Sequence, residues 1–306
     1  MNVLETLLQA SVLAAVPLML AAVGEAIGQR SGLLNLGVEG VMLAGALVAF
    51  IVVEITGSFV AGLTAGALVG AVVGLLFGVA STRLASSQIV LGLGIALAGQ
   101  GATGFFFRER YGLTQPLLET GMARLMSDWF GIGVVGPALF GHKWFVYAAW
   151  AGVLLIAAVV RFTRAGLLLR ATGDAPFATE AAGVSVTRVR VAAATAGQAL
   201  AGLGGAALSI VEVGFFTPGM TVGIGFIAIA LAMVGRQDPL RIALLALAFG
   251  VLRGLGPAIQ LTDWQVRVEF LDMMPYVGVI VLVVVLGRRV RLPAALGLAY
   301  HREARP

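Results

Sequence analysis

Residues 24–46 read GEAIGQRSGLLNLGVEGVMLAGA and join two apolar segments through the short polar break Arg30–Gly32. The apolar sequence that follows the break carries Asn35 and Glu39. Because these two residues are four positions apart, a helix would place them on one face. A carboxylate and an amide at membrane depth are costly, so the pair marks either a transport pathway or a packed polar contact.

Apolar stretches like these recur along all 306 residues, which are 59% hydrophobic and 11% charged. The mean hydropathy is +1.00. Runs of about 20 apolar residues suit membrane-spanning helices, whereas a transmembrane β-barrel would show alternating segments of about ten residues. The sequence therefore predicts an all-α, polytopic membrane protein with a single transmembrane domain over residues 1–306. The N-terminus lacks a basic region, so we expect no cleavable signal peptide.

Charge and cysteine content exclude several function classes. The net charge of +5 comes from arginines spread over membrane-flanking loops, so it does not indicate nucleic-acid binding. The absence of cysteine excludes disulfides, thiolate catalysis and Cys-ligated metal. The 42 glycines favour close packing of helices in lipid.

About nine membrane spans are predicted, with ends uncertain by several residues. They lie at about 7–28, 33–54, 58–80, 86–107, 144–162, 189–211, 221–236, 239–257 and 274–288. The loops between them alternate between Arg-rich segments, such as 161–190 and 288–291, and segments with acidic residues, such as Glu54 and Glu212. The positive-inside rule places the Arg-rich loops in the cytoplasm, with the N-terminus outside and the C-terminus inside.

The third span carries glycines at every fourth position, namely Gly62, Gly66, Gly70, Gly74 and Gly78. This spacing leaves one helix face smooth, so the backbone of another helix can approach closely. The pattern predicts helix packing and not a ligand site.

Other polar residues within the spans are Gln88, Gln100 and Gln198. With Asn35 and Glu39 they are our candidates for a substrate pathway; for Gln100 the alternative is an interhelical hydrogen bond. The segment 215–226, FFTPGMTVGIGF, interrupts an apolar region with Pro and Gly. Such a break predicts a broken or re-entrant helix, which lipid permits only where protein buries it or it lines a cavity.

The Arg-flanked loop 161–190 contains a candidate short helix from Asp174 to Gly183. Asp174 resembles an N-cap, Pro176 suits the first turn and Gly183 suits the end. We expect this helix to lie across the cytoplasmic face; the alternative is an ordinary connecting loop.

No motif for catalysis or nucleotide binding is visible. The chain contains no GxxxxGK[ST] sequence, no paired-His metal spacing and no GxSxG with a partner His. We therefore expect no enzyme activity, no cofactor and no metal site in this chain.

Three stretches resemble the permeases of ABC importers for nucleosides and simple sugars. Residues 24–46 are similar to the N-terminal signature of that group, and their core, 35–40, is also similar to branched-chain amino-acid permeases. Residues 167–184 resemble its cytoplasmic coupling segment, and 197–240 resemble its later spans. The chain lacks an extra N-terminal span and so looks like the shorter member of a permease pair. It departs from the family at Ala96 and Gln100, where an Asn is frequent.

The resemblance implies a subunit of an importer in the bacterial cytoplasmic (inner) membrane. Its implied partners, besides the lipid bilayer, are ABC ATP-binding subunits, a second related permease and an extracytoplasmic substrate-binding lipoprotein. ATP and Mg²⁺ would be used by the ATPase partner alone. We expect Glu180, Ala181, Ala182 and Gly183 to dock in the ATPase groove, together with Asp174 and Pro176 at the start of the coupling segment.

Several alternatives remain open. The leading solute is a nucleoside, whose base edge or ribose hydroxyls would suit Asn35, Gln100 and Gln198; the alternatives are a simple sugar and a branched-chain amino acid. Two roles are open for Asn35 and Glu39: contact with the solute, or bracing of the helix break alone. A proton-driven secondary carrier using Glu25 or Glu39 is the alternative from another class, and a non-transporting structural or receptor subunit is a third.

Overall fold

The structure, a computed structural model, describes residues 3–84, 86–118, 121–123, 140–260, 267–287, 290–298 and 300. These residues form eleven α-helices, one π-helix and no strand. The α-helices are α1 (Val3–Arg30), α2 (Val38–Thr56), α3 (Phe59–Arg83), α4 (Gln88–Tyr111), α5 (Trp144–Phe162), α6 (Arg164–Asp174), α7 (Pro176–Ala181), α8 (Val186–Ala206), α9 (Ile224–Val234), α10 (Pro239–Ile259) and α11 (Val268–Gly287). The π-helix, Ala207–Val213, continues α8.

Eight of the described helices are long and apolar enough to cross a membrane, which confirms the all-α, polytopic class. The span predicted at 221–236 differs, because its helix α9 has only 11 residues. Pro218 and the positive φ angles of Gly219 (76°) and Gly223 (84°) keep the preceding segment out of a helix. An irregular segment followed by a short helix thus replaces one continuous span.

The first helix is the centre of the bundle. From Ala14 to Ala26 every side chain of α1 is buried, and the helix packs against α8, α9 and α10. Surrounding it, α2 packs against α3, α4 and α8. Because α1 has almost no lipid-facing surface over this stretch, its polar residues meet protein.

The glycine face of α3 packs directly on α8, as its spacing predicts. A Cβ atom added at Gly70 would lie 2.1 Å from the carbonyl oxygen of Gln198, and one at Gly74 would lie 2.4 Å from that of Ala194. In return, a Cβ at Gly202 of α8 would lie 2.3 Å from the carbonyl oxygen of Gly66. The two backbones are therefore in contact along their length.

Contacts between loops divide the bundle into two ends. At one end, which we call the Arg-rich end, Arg30 donates to the carbonyl of Gln237 (2.8 Å) and Arg161 pairs with Asp238 (2.8 Å). At the opposite end Glu54 pairs with Arg110 (3.0 Å). This grouping agrees with the predicted alternation of loops, while the assignment of the Arg-rich end to the cytoplasm stays a prediction. Arg288 and Arg289 of the predicted Arg-rich loop 288–291 lie outside the described residues.

Asp238 joins two elements at the Arg-rich end. Its carboxylate accepts from the backbone N–H groups of Leu240 (3.0 Å) and Arg241 (3.2 Å) and so caps α10. Partial burial would raise the pKa of Asp238, but the hydrogen bonds from Arg161 and from these N–H groups outweigh it and lower the pKa.

We expect Gly70→Leu to destabilise the protein. The new side chain would push into the backbone of α8, and overpacking of this kind costs about 1–3 kcal/mol or more. Gly101→Leu is the matched control, because nothing lies within 4 Å of a Cβ at Gly101. Thermal unfolding in detergent should show a lower midpoint for Gly70→Leu only; equal midpoints would contradict the close packing.

Candidate functional site

Two helices, α2 and α9, begin beside each other, and Glu39 joins their starts. Its carboxylate accepts from the Thr221 hydroxyl (2.5 Å) and from the N–H groups of Gly223 (2.8 Å) and Gly225 (2.7 Å). The first turn of α9 has no side-chain cap of its own. A carboxylate from another helix therefore takes the N-cap position, where it also meets the positive end of the helix dipole.

This contact requires a close approach of backbones. A Cβ atom added at Gly225 would lie 2.5 Å from the Cα of Glu39. All three bonds of the Glu39 carboxylate are to the chain itself. Of the two roles expected for Glu39, bracing of the helix break is thus visible in the structure, and contact with a solute stays a prediction.

A second polar group is buried between α1, the 31–37 turn and α8. Glu25 accepts from Gln29 (3.3 Å) and the N–H of Asn35 (3.2 Å) through one oxygen, and from Gln198 (3.4 Å) through the other. All four residues are at most 3% exposed. Because intramembrane carboxylates are rare and costly, this set, which we call the Glu25 cluster, is a candidate functional element.

The Glu25 cluster retains unused hydrogen-bonding capacity. Asn35 Nδ2, Gln29 Oε1 and Gln198 Oε1 are buried and have no hydrogen-bond partner among the described residues. Sequence reasoning selected Asn35 and Gln198 but did not select Gln29. The four-residue spacing of Glu25 and Gln29 on one helix was a usable signal for it.

Asn35 also shapes the turn that starts α2. Its Oδ1 accepts from the N–H of Gly37 (2.8 Å), the local bond of an Asx turn. Gln88 holds the same turn from α4, since its Oε1 accepts from the N–H of Leu34 (2.8 Å) and its Nε2 donates to the carbonyl of Leu298 (3.3 Å). Both groups of the Gln88 amide therefore bond within the chain.

Gln100 lies apart from these residues, exposed on α4. It borders a groove of about 580 Å³ that also contacts Arg108, Glu109 and the loop residues Pro218 and Gly219. One part of the loop 214–223 therefore bonds to Glu39, and another part borders this groove. The structure connects Asn35 with Gln198 through Glu25, and it leaves Gln88 and Gln100 in separate surroundings.

The predicted coupling helix is present as α7, which is shorter than expected. The prediction that Asp174 caps it is wrong, because Asp174 is the last residue of α6. Ala175 separates the two helices with φ −142° and ψ 70°, outside the α region that a following proline disfavours. Pro176 is the first residue of α7, as its fixed φ predicts.

The end of α7 follows the predicted pattern. Gly183 has φ +85°, and the N–H groups of Gly183 and Val184 bond back to the carbonyls of Glu180 (2.9 Å) and Thr179 (3.2 Å). This pairing is a Schellman motif, which favours glycine at that position. Glu180 Oε2 accepts from the N–H of Val186 (3.0 Å) at the start of α8. Ala181, Ala182 and Gly183 are exposed at the Arg-rich end.

The segment 290–298 crosses the Arg-rich end and was not selected from the sequence. The Ala295 N–H donates to the carbonyl of Gly173 (2.9 Å), and the Gly297 N–H donates to that of Gly32 (3.1 Å). We call 290–298 the C-terminal strap. It contacts both the helix that leads into α7 and the break between α1 and α2.

Arg190 holds the C-terminal strap in place through hydrogen bonds. This residue is 1% exposed, and it donates to the carbonyls of Ser31 (3.0 Å) and Leu298 (3.1 Å). Its hydrogen bonds thus join the break after α1 to the strap. From the sequence, Arg190 is one of the arginines that flank the loop 161–190. The sequence next to a loop does not distinguish a buried arginine from an exposed one.

Comparison with known proteins identifies relatives over nearly the whole chain. Residues 7–286 match the family model described as branched-chain amino acid transport system / permease component. A Haloferax volcanii protein named, provisionally, as a glucose ABC transporter permease (TsgC13) is 33% identical over 97% of this chain and 98% of its own. The Lactococcus lactis nucleoside ABC transporter permease NupC is 29% identical over 99% and 98% of the two chains, respectively.

The guanosine ABC transporter permease NupQ of Bacillus subtilis is 27% identical over 99% of both chains. No solved structure gives a significant match.

We expect Glu39→Gln to loosen the start of α9 without unfolding the protein. An amide can accept through only one oxygen and lacks the charge, and hydrogen bonds to a charged group contribute about 1.5–3 kcal/mol each at most. Hydrogen exchange of peptides covering 217–226 should become faster. Glu109→Gln, an exposed carboxylate beside the groove, is the control; unchanged exchange in Glu39→Gln would contradict the bracing role.

Proposed function

Since the chain belongs to the family of branched-chain amino acid transport system permease components, we propose that it carries nucleosides through the membrane as part of an ABC importer. As a multi-pass ABC transporter permease, it is a transport component. The nucleoside assignment and the partners described below are the proposal.

The observation that carries the nucleoside assignment is the uncharged character of the free groups in the Glu25 cluster. Asn35 Nδ2 is a donor, and Gln29 Oε1 and Gln198 Oε1 are acceptors. A nucleoside presents matching donors and acceptors on its base and ribose. Because a nucleoside is uncharged, it needs no neutralising charge from these amides. Two relatives named for guanosine or nucleoside transport support the same solute class.

A simple sugar is the second candidate. The relative with 33% identity is named, provisionally, as a glucose ABC transporter permease. The same amide groups suit sugar hydroxyls, which both donate and accept.

The Arg-rich end suits an ATPase partner. Ala181, Ala182 and Gly183 offer an exposed surface without bulky side chains at the end of α7. From there, α6 leads to Gly173, the strap bonds to Gly173 and Gly32, and Gly32 precedes the turn that carries Asn35. Motion imposed on α7 by an ATPase subunit would reach the Glu25 cluster through these contacts.

The complete importer, in this proposal, has two ATPase subunits, a second related permease and an extracytoplasmic binding lipoprotein. ATP and Mg²⁺ are used by the ATPase subunits, and this chain holds no cofactor. The positive-inside rule places the Arg-rich end in the cytoplasm and the N-terminus outside. The groove beside Gln100 faces away from the bundle and suits a solute path shared with the second permease.

We expect uptake of labelled uridine by cells to require this chain, the ATPase subunits and the binding protein. Deletion of the chain should abolish uptake, and an ATPase-inactive partner should do the same. Competition by excess guanosine but not by glucose would support nucleosides over sugars. Uptake into vesicles by this chain alone, driven by a proton gradient, would replace the proposal with a secondary carrier.

We expect Ala182→Arg to abolish uptake and solute-stimulated ATP hydrolysis while membrane insertion stays normal. The side chain would place bulk and charge in the surface proposed for ATPase docking. Leu84→Arg is the control, because Leu84 is also exposed in a loop at the Arg-rich end. Co-purification of the ATPase and its activity would be measured for both. Normal uptake in Ala182→Arg would refute the docking assignment.

A further inference from the structure

A second cavity lies on the other side of the 214–223 loop from the groove beside Gln100. It holds about 560 Å³, and its walls come from α1, α10, α11 and this loop. That volume is within the range of small-molecule sites. Most of the wall is apolar, including Leu13, Phe249 and Leu271. The cavity lies toward the end of the bundle opposite the Arg-rich end.

An ion pair interrupts this apolar wall. Arg253 Nη2 lies 3.2 Å from Glu212 Oε1, and both side chains line the cavity, with 32% and 14% of their surfaces exposed. Within the described part of the chain, this is the one ion pair that either side chain makes. Glu212 Oε2 and Arg253 Nη1 are buried, and neither has a hydrogen-bond partner among the described residues. An under-satisfied pair in an apolar wall is costly and gains from polar groups that reach it.

Backbone geometry directs this pair to the cavity. Glu212 lies in the π-helix Ala207–Val213, a rare conformation that occurs frequently at functional sites. The change of helical repeat re-aims the side chains at the end of α8. Lys143 donates to the carbonyl of Val211 one residue earlier. Glu212 thus lies near two cationic side chains, Lys143 and Arg253.

The charges facing the cavity select the kind of ligand. Glu212 would repel an anion and Arg253 would repel a cation, while Asp272 adds a second carboxylate to the lining. A neutral molecule with a donor and an acceptor on one edge meets both members of the pair favourably. A nucleobase has this edge, and its flat apolar faces suit the remaining wall.

We propose that this cavity is a nucleoside site in which the base presents its hydrogen-bonding edge to Glu212 and Arg253. The proposal rests on the proposed function for the identity of the solute. It adds a site inside this one chain, separate from the Glu25 cluster and from the groove beside Gln100.

The cavity wall connects this site to the helix break. Val222 lines it with φ 46°, a strained value for a β-branched residue, and its carbonyl accepts from the Tyr276 hydroxyl (3.0 Å). Its neighbours Thr221 and Gly223 are the residues that Glu39 holds. A base in the cavity therefore rests on the same loop that Glu39 holds at the start of α9.

Gly256→Met tests the site by filling it. A Cβ at Gly256 would have only Leu271 Cβ as a neighbour, at 4.0 Å, so the side chain fits and enters the cavity. Equilibrium binding of labelled uridine would be measured on the purified importer complex without binding protein or ATP. We expect at least about a tenfold loss of affinity, and none for Gly152→Met on α5, where a Cβ meets no described atom within 4 Å.

Two further measurements test the recognition of the base. 3-Methyluridine, whose donor on this edge is blocked, should bind wild type about tenfold more weakly than uridine. The double variant Glu212→Gln, Arg253→Gln leaves no lone charge and should also lose about tenfold in uridine affinity.

Three outcomes would overturn the site and leave the proposed function standing. They are an unchanged uridine affinity in Gly256→Met, equal binding of uridine and 3-methyluridine to wild type, and no uridine binding by a wild-type complex that still transports uridine. A phospholipid that Gly256→Met displaces without altering uridine binding would overturn it too. If the complete importer with binding protein and ATP transports no nucleoside, the proposed function fails, and the nucleoside assignment of the cavity fails with it.

Discussion

Two helices of this bundle start inside protein and not at a membrane surface, and lipid supplies no acceptors for the N–H groups at such a start. The carboxylate of Glu39 supplies them for α9, and the amide of Asn35 supplies one for the turn before α2. These two residues belong to one stretch of sequence. The path of the chain through the centre of the bundle therefore depends on a few polar atoms between 35 and 39.

At the Arg-rich end, a few hydrogen bonds to backbone carbonyls likewise hold the chain in place. The strap bonds to Gly173 on one side and to Gly32 on the other, and the buried Arg190 joins Ser31 to Leu298. Both of these Arg190 hydrogen bonds go to carbonyl oxygens, and no acidic side chain among the described residues pairs with it. Carbonyl groups at the ends of helices carry partial negative charge, which suits a buried guanidinium. The result is a continuous contact from α7 to the polar break.

Much of the architecture follows from local sequence, and the rest depends on contacts between distant residues. The lengths of apolar runs predicted eight of the spans, and the four-residue glycine repeat predicted the packing face of α3. Pro176 and Gly183 predicted the limits of α7, because each acts through its own backbone. Asp174 fitted a capping pattern but ended the preceding helix, since the proline restricts Ala175 and not Asp174. The bond from Gln198 to Glu25 spans 173 positions in the sequence, and no local pattern encodes it.

The shortness of α9 bears on how the protein is made. An isolated apolar helix of 11 residues is about half the length that a bilayer requires, so it has little tendency to enter lipid when it leaves the ribosome. Its place is prepared by Glu39, which is synthesised 186 residues before Gly225. We therefore expect an ordered biogenesis, in which α2 with Glu39 is inserted before the segment after Gly214 leaves water.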